Sequence, residues 1–272
     1  MIPIFRRLLP CVAGTIERRV LVNFKVDPSY AARRLPPPFR PQLVRGQSLA
    51  GICLIRLEQL RPAWCPKWCG VSSENAAHRI AVEWSAGGCL HQGVFVARRH
   101  TNSTLTHWAG GRVFPGVHQK ARFRFDDLDN GIRISLGSGR DAGPEEVGIS
   151  AHFTNEMPST SVFAHLEEAS EFFRRGCEGW SLGSDGLTLE GTRLEILDWK
   201  LQPLRVLHAH SSLLQEWFGS GAAGLEFDSA FLMQNVVHRW IPLGRWPGDV
   251  SSVSLIRRAP RSHRHAALFE LP

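Results

Sequence analysis

The chain has 272 residues, of which 43% are hydrophobic and 21% charged, which excludes a disordered chain and allows a substantial core. Its 25 glycines and 17 prolines are spread out, which is typical of one β-rich domain with many turns. The formal net charge of +7 favours an anionic small-molecule ligand.

The sequence disfavours several other partners. It carries no RNP, zinc-finger or helix-turn-helix pattern, so we expect no nucleic-acid partner. No apolar run approaches the roughly 20 residues of a membrane span, so we expect no membrane partner and a cytoplasmic location. The six cysteines are irregularly spaced, and the pair Cys65 and Cys69 has the wrong spacing for a redox motif or zinc site. We therefore expect free thiols, no metal and no cofactor.

The first predicted elements are a strand and a short helix. Residues 18–26 alternate well enough to predict a strand. Asp27 followed by Pro28 is a helix start, and the helix predicted over residues 29–35 ends at a run of three prolines.

A buried strand and an aromatic loop follow. Residues 47–58 are apolar nearly throughout, which is typical of a strand buried on both faces. The loop 63–73 carries Trp64 and Trp68, which we expect to pack against the core or a ligand.

The next strands bring charged groups towards a common region. Glu74 enters a strand that ends at Trp84, and a simple ion pair between Glu74 and Arg79 is an alternative to a functional role. A strand over residues 93–99 ends in arginines, of which Arg98 is a candidate clamp for a carboxylate.

The stretch 110–125 shows a marked alternation of side chains. If it forms a strand, one face carries a histidine and three basic residues, and the other carries a glutamine and apolar residues. The charged face comprises His118, Lys120, Arg122 and Arg124, and the other comprises Gln119, Ala121, Phe123 and Phe125. A solvated basic face of a structural strand explains the pattern as well as a functional site does.

The second half of the chain predicts further strands and two helices. In order, we expect a hairpin turn at 126–131, strands at 132–136 and 147–153, a helix at 162–175, a two-stranded hairpin at 187–206, a helix at 213–218 and closing strands at 225–241.

Four segments of the chain carry a resemblance to a known family. They read RRVLVNFKVDPSYAARRLPPPFRPQLVRGQSLAGICLIRLEQLRP, SSENAAHRIAVEW, GVFVARRHTNS and GGRVFPGVHQKARF. Over about residues 16–245 the chain resembles the bacterial YqjF-like group (DUF2071) of the acetoacetate decarboxylase-like superfamily. The resemblance implies a mainly β fold, an antiparallel β cone or barrel with a few peripheral helices. We expect this domain to span residues 18–256, between an N-terminal extension (1–17) and a basic, disordered tail (257–272).

The resemblance also implies candidate catalytic residues. In acetoacetate decarboxylases the matching segment reads Gly-aromatic-Pro-Lys-Lys, and its first lysine forms a Schiff base. Aligned without a gap, Gln119 takes the place of that lysine and Lys120 that of its neighbour. A shift of one residue would instead turn Lys120 inward beside His118. We favour Gln119 inward and no Schiff base, although Lys120 is the best candidate if the protein is catalytic.

A glutamate and several binding residues complete the implied site. The decarboxylase glutamate that faces the lysine is matched by Glu74, or by Asn75 one position later. The candidate catalytic residues are therefore Lys120, Glu74 and His118, and the candidate substrate-binding residues are Gln119, Asn75, Arg98, Arg112 and Phe114.

Two functions from different classes follow from these residues. One is a lyase-type enzyme that acts on a carbonyl or carboxylate compound by decarboxylation, aldol or dehydration chemistry. The other is a non-catalytic binding or sensing module that keeps the pocket and lacks the Schiff-base lysine. The sequence permits a homo-oligomer and does not require one.

Overall fold

The computed structural model describes residues 10–104, 116–137, 146–219 and 224–246, and it has fourteen strands and three α-helices in these ranges. The strands are β1 (Val12–Val26), β2 (Arg40–Pro41), β3 (Leu43–Val44), β4 (Gln47–Pro62), β5 (Val71–Ala86), β6 (Cys89–Thr101), β7 (His118–Lys120), β8 (Arg122–Leu128), β9 (Gly131–Gly137), β10 (Val147–Phe153), β11 (Glu178–Leu182), β12 (Leu189–Ile196), β13 (Gln202–Ser211) and β14 (Leu225–Trp246). The helices are α1 (Pro28–Ala32), α2 (Leu166–Arg175) and α3 (Ser212–Phe218).

Seven of these strands close into a ring. β1 pairs antiparallel with β4 along one edge and with β14 along the other. The remaining order is β4-β5-β6-β11-β12-β14, in which only the β6–β11 contact is parallel. The mainly β, largely antiparallel fold predicted from the sequence is therefore confirmed.

The ring has a concave inner face, which aromatic side chains identify. Trp84 of β5 and Trp246 of β14 lie with ring centroids 6.2 Å apart, and both contact Trp180 of β11 and Phe39. Along the sheet, β5 and β14 are three strand spacings apart through β4 and β1 and four through β6, β11 and β12, which in a flat sheet is roughly 14 Å or more. The contact therefore requires the sheet to curve towards this side.

A smaller sheet covers the inner face. The long strand β14 pairs with β13 near Leu232, and the order continues β13-β10-β9-β8. Apolar side chains of this sheet, among them Ile134 and Ile149, pack in one core with Val20 and Val22 of β1. The inner face thus lies between two layers of strands.

Helix α2 covers the opposite, outer face of the ring. Its Ala169 and Phe173 pack in a second core with Leu21, Cys53 and Phe231. The helix is four residues shorter than the predicted 162–175 at its start. The Val162 amide instead donates to a carboxylate oxygen of Asp228 (2.7 Å), and His165 caps the helix.

The first strand is longer than predicted. The pattern 18–26 captures only part of β1, which begins at Val12 and pairs with both neighbours from that residue. Val12 and Ile16 are buried, so residues 12–17 belong to the ring and not to a separate extension. The predicted tail 257–272 lies outside the described residues.

Two further sequence predictions are wrong. The predicted hairpin 187–206 does not form, because β12 and β13 each pair with β14 and not with each other. The predicted packing of Trp64 and Trp68 against the core is also wrong, because their loop extends beyond the ends of β4 and β5 and leaves them 82% and 86% exposed. The alternative, that they pack against a ligand, stays a prediction. The predicted turn at 126–131 is confirmed as the β8–β9 hairpin.

Two further findings concern the cysteines and the helices. All six cysteines are free thiols. In the described ranges, no helix is both long and apolar enough to cross a membrane.

The packing of Trp180 predicts that alanine substitutions at two nearby glycines, Gly191 and Gly179, differ in their effect on stability. A Cβ at Gly191 would lie 2.7 Å from the Trp180 ring, whereas a Cβ at Gly179 would have its nearest neighbour at 3.8 Å. Because overpacking forces side chains from their preferred positions, we expect Gly191→Ala to destabilise the protein by about 1–3 kcal/mol. Urea unfolding measures the difference. Gly179→Ala is the control, and equal losses in both variants would contradict the observed packing.

Candidate functional site

A group of polar side chains lies on the inner face of the ring. Partners across neighbouring strands point to the same side of a sheet, so the strand register defines which residues share this face. One row joins Arg18, Arg56 and Glu74, and the next joins Ala76, His100 and Gln119. A third row joins His78 and Arg98. We call Arg18, Glu74, His78, Arg98, His100 and Gln119 the inner cluster.

Arg18 and Glu74 form a nearly buried ion pair. The Arg18 Nη2 atom donates to both carboxylate oxygens of Glu74 at 2.9 and 3.0 Å, and the two side chains are only 7% and 14% exposed. The Arg18 guanidinium carbon also lies 3.8 Å from the ring centroid of Phe125 in the smaller sheet. Glu74 therefore pairs with Arg18 and not with Arg79, the partner that the sequence suggested.

Two histidines lie beside this pair and contact the smaller sheet. The rings of His78 and His100 meet edge to face, with centroids 5.6 Å apart. His78 Nε2 lies 3.1 Å from Ser211 Oγ, and His100 Nε2 lies 3.4 Å from Glu146 Oε2. A carboxylate at this distance can orient the imidazole of His100 and stabilise its protonated form.

Burial keeps both imidazoles neutral near pH 7. Desolvation, followed by the positive charges of His100 and Arg98, lowers the pKa of His78 to about 3. The pKa of His100 is also lowered, chiefly by burial and further by Arg98, although Glu146 and Gln119 act in the opposite direction. A neutral imidazole that faces a carboxylate is equipped to accept a proton.

Gln119 and Lys120 lie on opposite sides of β7. Gln119 is paired with His100 and shares the inner face, where it is exposed to solvent. Lys120 is paired with Thr101 and points to the other side. Its ammonium group donates to the Asn102 carbonyl oxygen (2.6 Å) and to Thr104 Oγ1 (2.7 Å).

The remaining candidates do not join the inner cluster. His118 is paired with Arg99, and Asn75 with Thr101, so both lie on the outer side of the ring. Asn75 donates to Ser73. Arg112 and Phe114 lie outside the described residues.

Sequence reasoning missed three members of the cluster, Arg18, His78 and His100. Each of the three interrupts a regular pattern in the sequence. Along its strand, every second residue is apolar and faces inward, and a charged or imidazole side chain takes one of these positions. Arg18 shares its face with Val20 and Val22, and His78 shares its face with Ala76 and Ile80. The signal is visible only once the inner side of each strand is known.

The cluster supports acid–base and anion-binding chemistry better than metal chemistry. It combines the guanidinium of Arg98, for which the described ranges hold no carboxylate partner, with a neutral imidazole oriented by a carboxylate and an amide donor at Gln119. Across the described ranges, no group of three or more histidine, cysteine, aspartate or glutamate side chains has an arrangement that could hold a metal ion.

Solved structures identify the fold. Acetoacetate decarboxylase from Legionella pneumophila is similar over 88% of each chain, with a TM-score of 0.59 and 14% sequence identity. The chain has the acetoacetate decarboxylase-like fold. An acetoacetate decarboxylase-like enzyme from Sphingomonas wittichii RW1 covers 92% of this chain and 97% of its own, with a TM-score of 0.55 and 11% identity.

A third similar structure was solved with a bound small molecule. The enduracididine biosynthesis enzyme MppR, complexed with pyruvate, has a TM-score of 0.52 and 13% identity, and the match covers 87% of this chain and 88% of MppR. No protein-family model and no curated protein matches the chain.

The buried ion pair generates a stability prediction. Glu74→Gln leaves the nearly buried Arg18 without its counter-charge, so we expect a loss of about 3–5 kcal/mol of unfolding free energy. Urea unfolding is the measurement. The control is Glu83→Gln, which breaks a pair whose Arg40 is 64% exposed and should cost about 0–1 kcal/mol. A Glu74→Gln loss no larger than the control would contradict the buried pair.

The lowered pKa of His78 generates a pH prediction. The unfolded chain binds a proton at His78 below about pH 6.5, whereas the folded state does so only near pH 3. The contribution of His78 to the unfolding free energy should therefore be fully present above pH 6.5 and be lost progressively as the pH falls towards 3. Between pH 7 and pH 5 this one group should lower the unfolding free energy by about 2 kcal/mol.

The test compares urea unfolding at pH 7 and pH 5 in two variants. His78→Gln removes the titrating group, so its loss of stability between the two pH values should be smaller than that of the wild type. His208→Gln, which removes an exposed histidine of β13, is the control for the substitution itself. Identical pH profiles for wild type and His78→Gln would rule out a neutral, buried His78.

Proposed function

We propose that the inner cluster binds a small carboxylate that also carries a carbonyl group, such as a 2-oxo acid, and transforms it by proton transfer without a Schiff base. The observation that carries this proposal is the strand register at β7. Gln119 faces His100 on the inner side, while Lys120 points away and donates to Asn102 and Thr104. An amide can hydrogen-bond a carbonyl oxygen but cannot form an imine with it.

Arg98 supplies the charge that would hold the carboxylate. It lies opposite His78 on the inner face, and within the described ranges it forms no ion pair with an aspartate or glutamate. Arg18, by contrast, is already paired with Glu74. A free guanidinium at a partly exposed position can take a carboxylate through two parallel hydrogen bonds.

His100 is the group best placed to move a proton. Its imidazole is neutral, it faces Glu146, and Gln119 lies beside it at the solvent-exposed side of the cluster. A substrate held by Arg98 and Gln119 would present the carbon next to its carbonyl to this imidazole. Removal of a proton there moves the electron pair of the C–H bond onto the carbonyl oxygen and gives an enolate, which the Gln119 amide would hydrogen-bond. Enolate formation is the first step of dehydration and aldol reactions, and Glu146 would stabilise the imidazolium that forms.

A non-catalytic binding module is the second candidate. It is favoured by the same glutamine, because in the ungapped alignment Gln119 takes the place of the decarboxylase nucleophile and an amide is not a nucleophile. The two functions differ in whether a bound 2-oxo acid exchanges its C3 protons with solvent.

Broader assignments belong to the same proposal. The four quoted segments support a divergent member of the YqjF-like group within the acetoacetate decarboxylase-like superfamily. Six free cysteines support a cytoplasmic location. The similarity of MppR, which was solved with pyruvate, supports pyruvate as the first ligand to test.

The first experiment tests anion binding at Arg98. We expect pyruvate to bind and its methyl ester to bind much more weakly, as measured by calorimetry. Arg98→Met should weaken pyruvate binding about tenfold or more, because it removes a charge-assisted hydrogen bond. Arg133→Met removes an exposed arginine of β9 and should bind pyruvate like the wild type. Equal binding of acid and ester would refute the carboxylate clamp.

The second experiment tests the absence of a Schiff base and the role of His100. Borohydride reduction with pyruvate should leave the wild type unmodified, whereas Gln119→Lys should give an adduct at residue 119. A reduced adduct on Lys120 of the wild type would overturn the proposed register. In deuterated water, loss of the pyruvate C3 proton signal in the wild type but not in His100→Gln supports the enzyme. Binding without exchange supports the module.

A further inference from the structure

Strand β8 forms one edge of the smaller sheet. It pairs with β9 along its whole length, from Arg122 opposite Gly137 to Leu128 opposite Gly131. In the part of the chain that the structure describes, no strand pairs with its other side. Five of its seven residues are exposed. An open edge of this kind presents unpaired backbone groups that can pair with another strand.

The hydrogen bonds of β9 define which residues of β8 point to the open edge. The carbonyl oxygens of Asn130 and Leu136 accept from backbone amides on the β10 side. Because backbone groups alternate in direction along a strand, the odd-numbered residues of β9 bond towards β8, where their partners are the even-numbered residues. The amides and carbonyl groups of the odd-numbered residues of β8 therefore point to the open edge. These residues are Phe123, Phe125 and Asp127.

The exposed side chains of β8 carry two positive charges followed by two negative charges, on Arg122, Arg124, Asp126 and Asp127. Within the described ranges, none of the four forms an ion pair. Edge strands are commonly protected from pairing by charged side chains, chiefly lysines. Charges of one sign repel a second copy of the same strand, whereas a strand that carries both signs can attract an antiparallel copy of itself.

One register of two antiparallel β8 strands satisfies both the backbone and the charges. Odd-numbered residues must face odd-numbered residues for the free backbone groups to bond. If Phe125 lies opposite Phe125 of the second copy, all seven residues are paired, and Arg124 of each copy lies opposite Asp126 of the other. If one strand slides by two residues, either Arg124 faces Arg124 or Asp126 faces Asp126, and like charges directly opposite are destabilising.

The geometry of this register strengthens the contact between opposite charges. Arg124 and Asp126 form a non-hydrogen-bonded pair, in which side chains approach most closely. Arg133 of β9 lies opposite Asp126 of its own chain, so the charges along this row alternate in sign. On the other face of β8, Phe123 packs against the core and Phe125 contacts Arg18. The charged row therefore faces away from the inner cluster.

We propose that β8 is a dimerisation surface, where it pairs antiparallel with β8 of a second copy of this chain about a two-fold axis at Phe125. The two small sheets, each with the order β13-β10-β9-β8, would then join into one continuous sheet. A pair of seven-residue strands is a small interface, so we expect a reversible dimer with a Kd in about the micromolar range. The proposal does not depend on the function proposed above.

The experiment measures the dimer fraction by analytical ultracentrifugation over a range of protein concentrations. We expect the wild type to change from monomer to dimer between about 1 and 100 µM. Arg124→Asp places an acid opposite Asp126 of the other copy, and Asp126→Arg places an arginine opposite Arg124. Each variant creates two like-charged pairs, so each should weaken dimerisation about tenfold or more.

A mixture of the two variants tests the register itself. In a heterodimer of Arg124→Asp with Asp126→Arg, every acid at these positions again lies opposite an arginine. The mixture should therefore form dimers at concentrations at which each variant alone is monomeric. Recovery in the mixture also shows that both variants are folded, because a misfolded chain could not restore a specific pair.

Two further measurements separate this interface from general effects of charge. Lys200→Asp reverses an exposed charge between β12 and β13 and should dimerise like the wild type. Hydrogen exchange of the backbone amides in residues 122–128 should slow as the wild-type concentration rises, because the amides of Phe123, Phe125 and Asp127 become hydrogen-bonded.

Three results would overturn the proposal. A wild type that is monomeric at about 100 µM would leave the edge to an extended segment of another protein. A dimer that persists equally in both single variants would form through another surface. A mixture of the variants that stays monomeric would contradict the register of Arg124 opposite Asp126.

Discussion

The double pairing of β1 is the constraint on which the rest of the structure depends. Its backbone hydrogen bonds to β4 on one side and to β14 on the other close the sheet into a ring and leave no free edge on either side of β1. Closure forces the sheet to curve, and curvature creates an inner face where side chains from strands far apart in the order meet. The smaller sheet covers that face, and α2 covers the opposite one.

Because side chains alternate along a strand, two polar residues that are adjacent in sequence lie on opposite faces of the sheet. Arg18 faces inward to Glu74, while Arg19 faces outward to Cys53. Arg98 and Arg99 separate in the same way, as do Gln119 and Lys120. One sheet therefore carries two different chemical surfaces, and a shift of register by a single residue would exchange them.

The two faces treat buried charge differently. On the inner face, Arg18 has a carboxylate within hydrogen-bond distance, and burial keeps His78 and His100 neutral. On the outer face, burial lowers the pKa of Arg79 and of Arg99 to about 10, yet their partners are an amide and a hydroxyl. Loss of the Glu74 carboxylate would leave the Arg18 charge buried and uncompensated, which is costly, whereas Arg79 and Arg99 donate to neutral acceptors.

The amino-acid sequence by itself determined the mainly β class, the approximate positions of β4, β5 and β6, and the β8–β9 hairpin, because alternation and turn residues are local signals. The same alternation in β7 separated Gln119 from Lys120. It could not show which side is the inner one, since that depends on the closure of the ring. Contacts such as Arg18 with Glu74, 56 residues apart, and His78 with Ser211, 133 residues apart, were decided only by the tertiary structure. The same holds for the separation of β12 from β13, because β14 inserts between them from the far end of the chain.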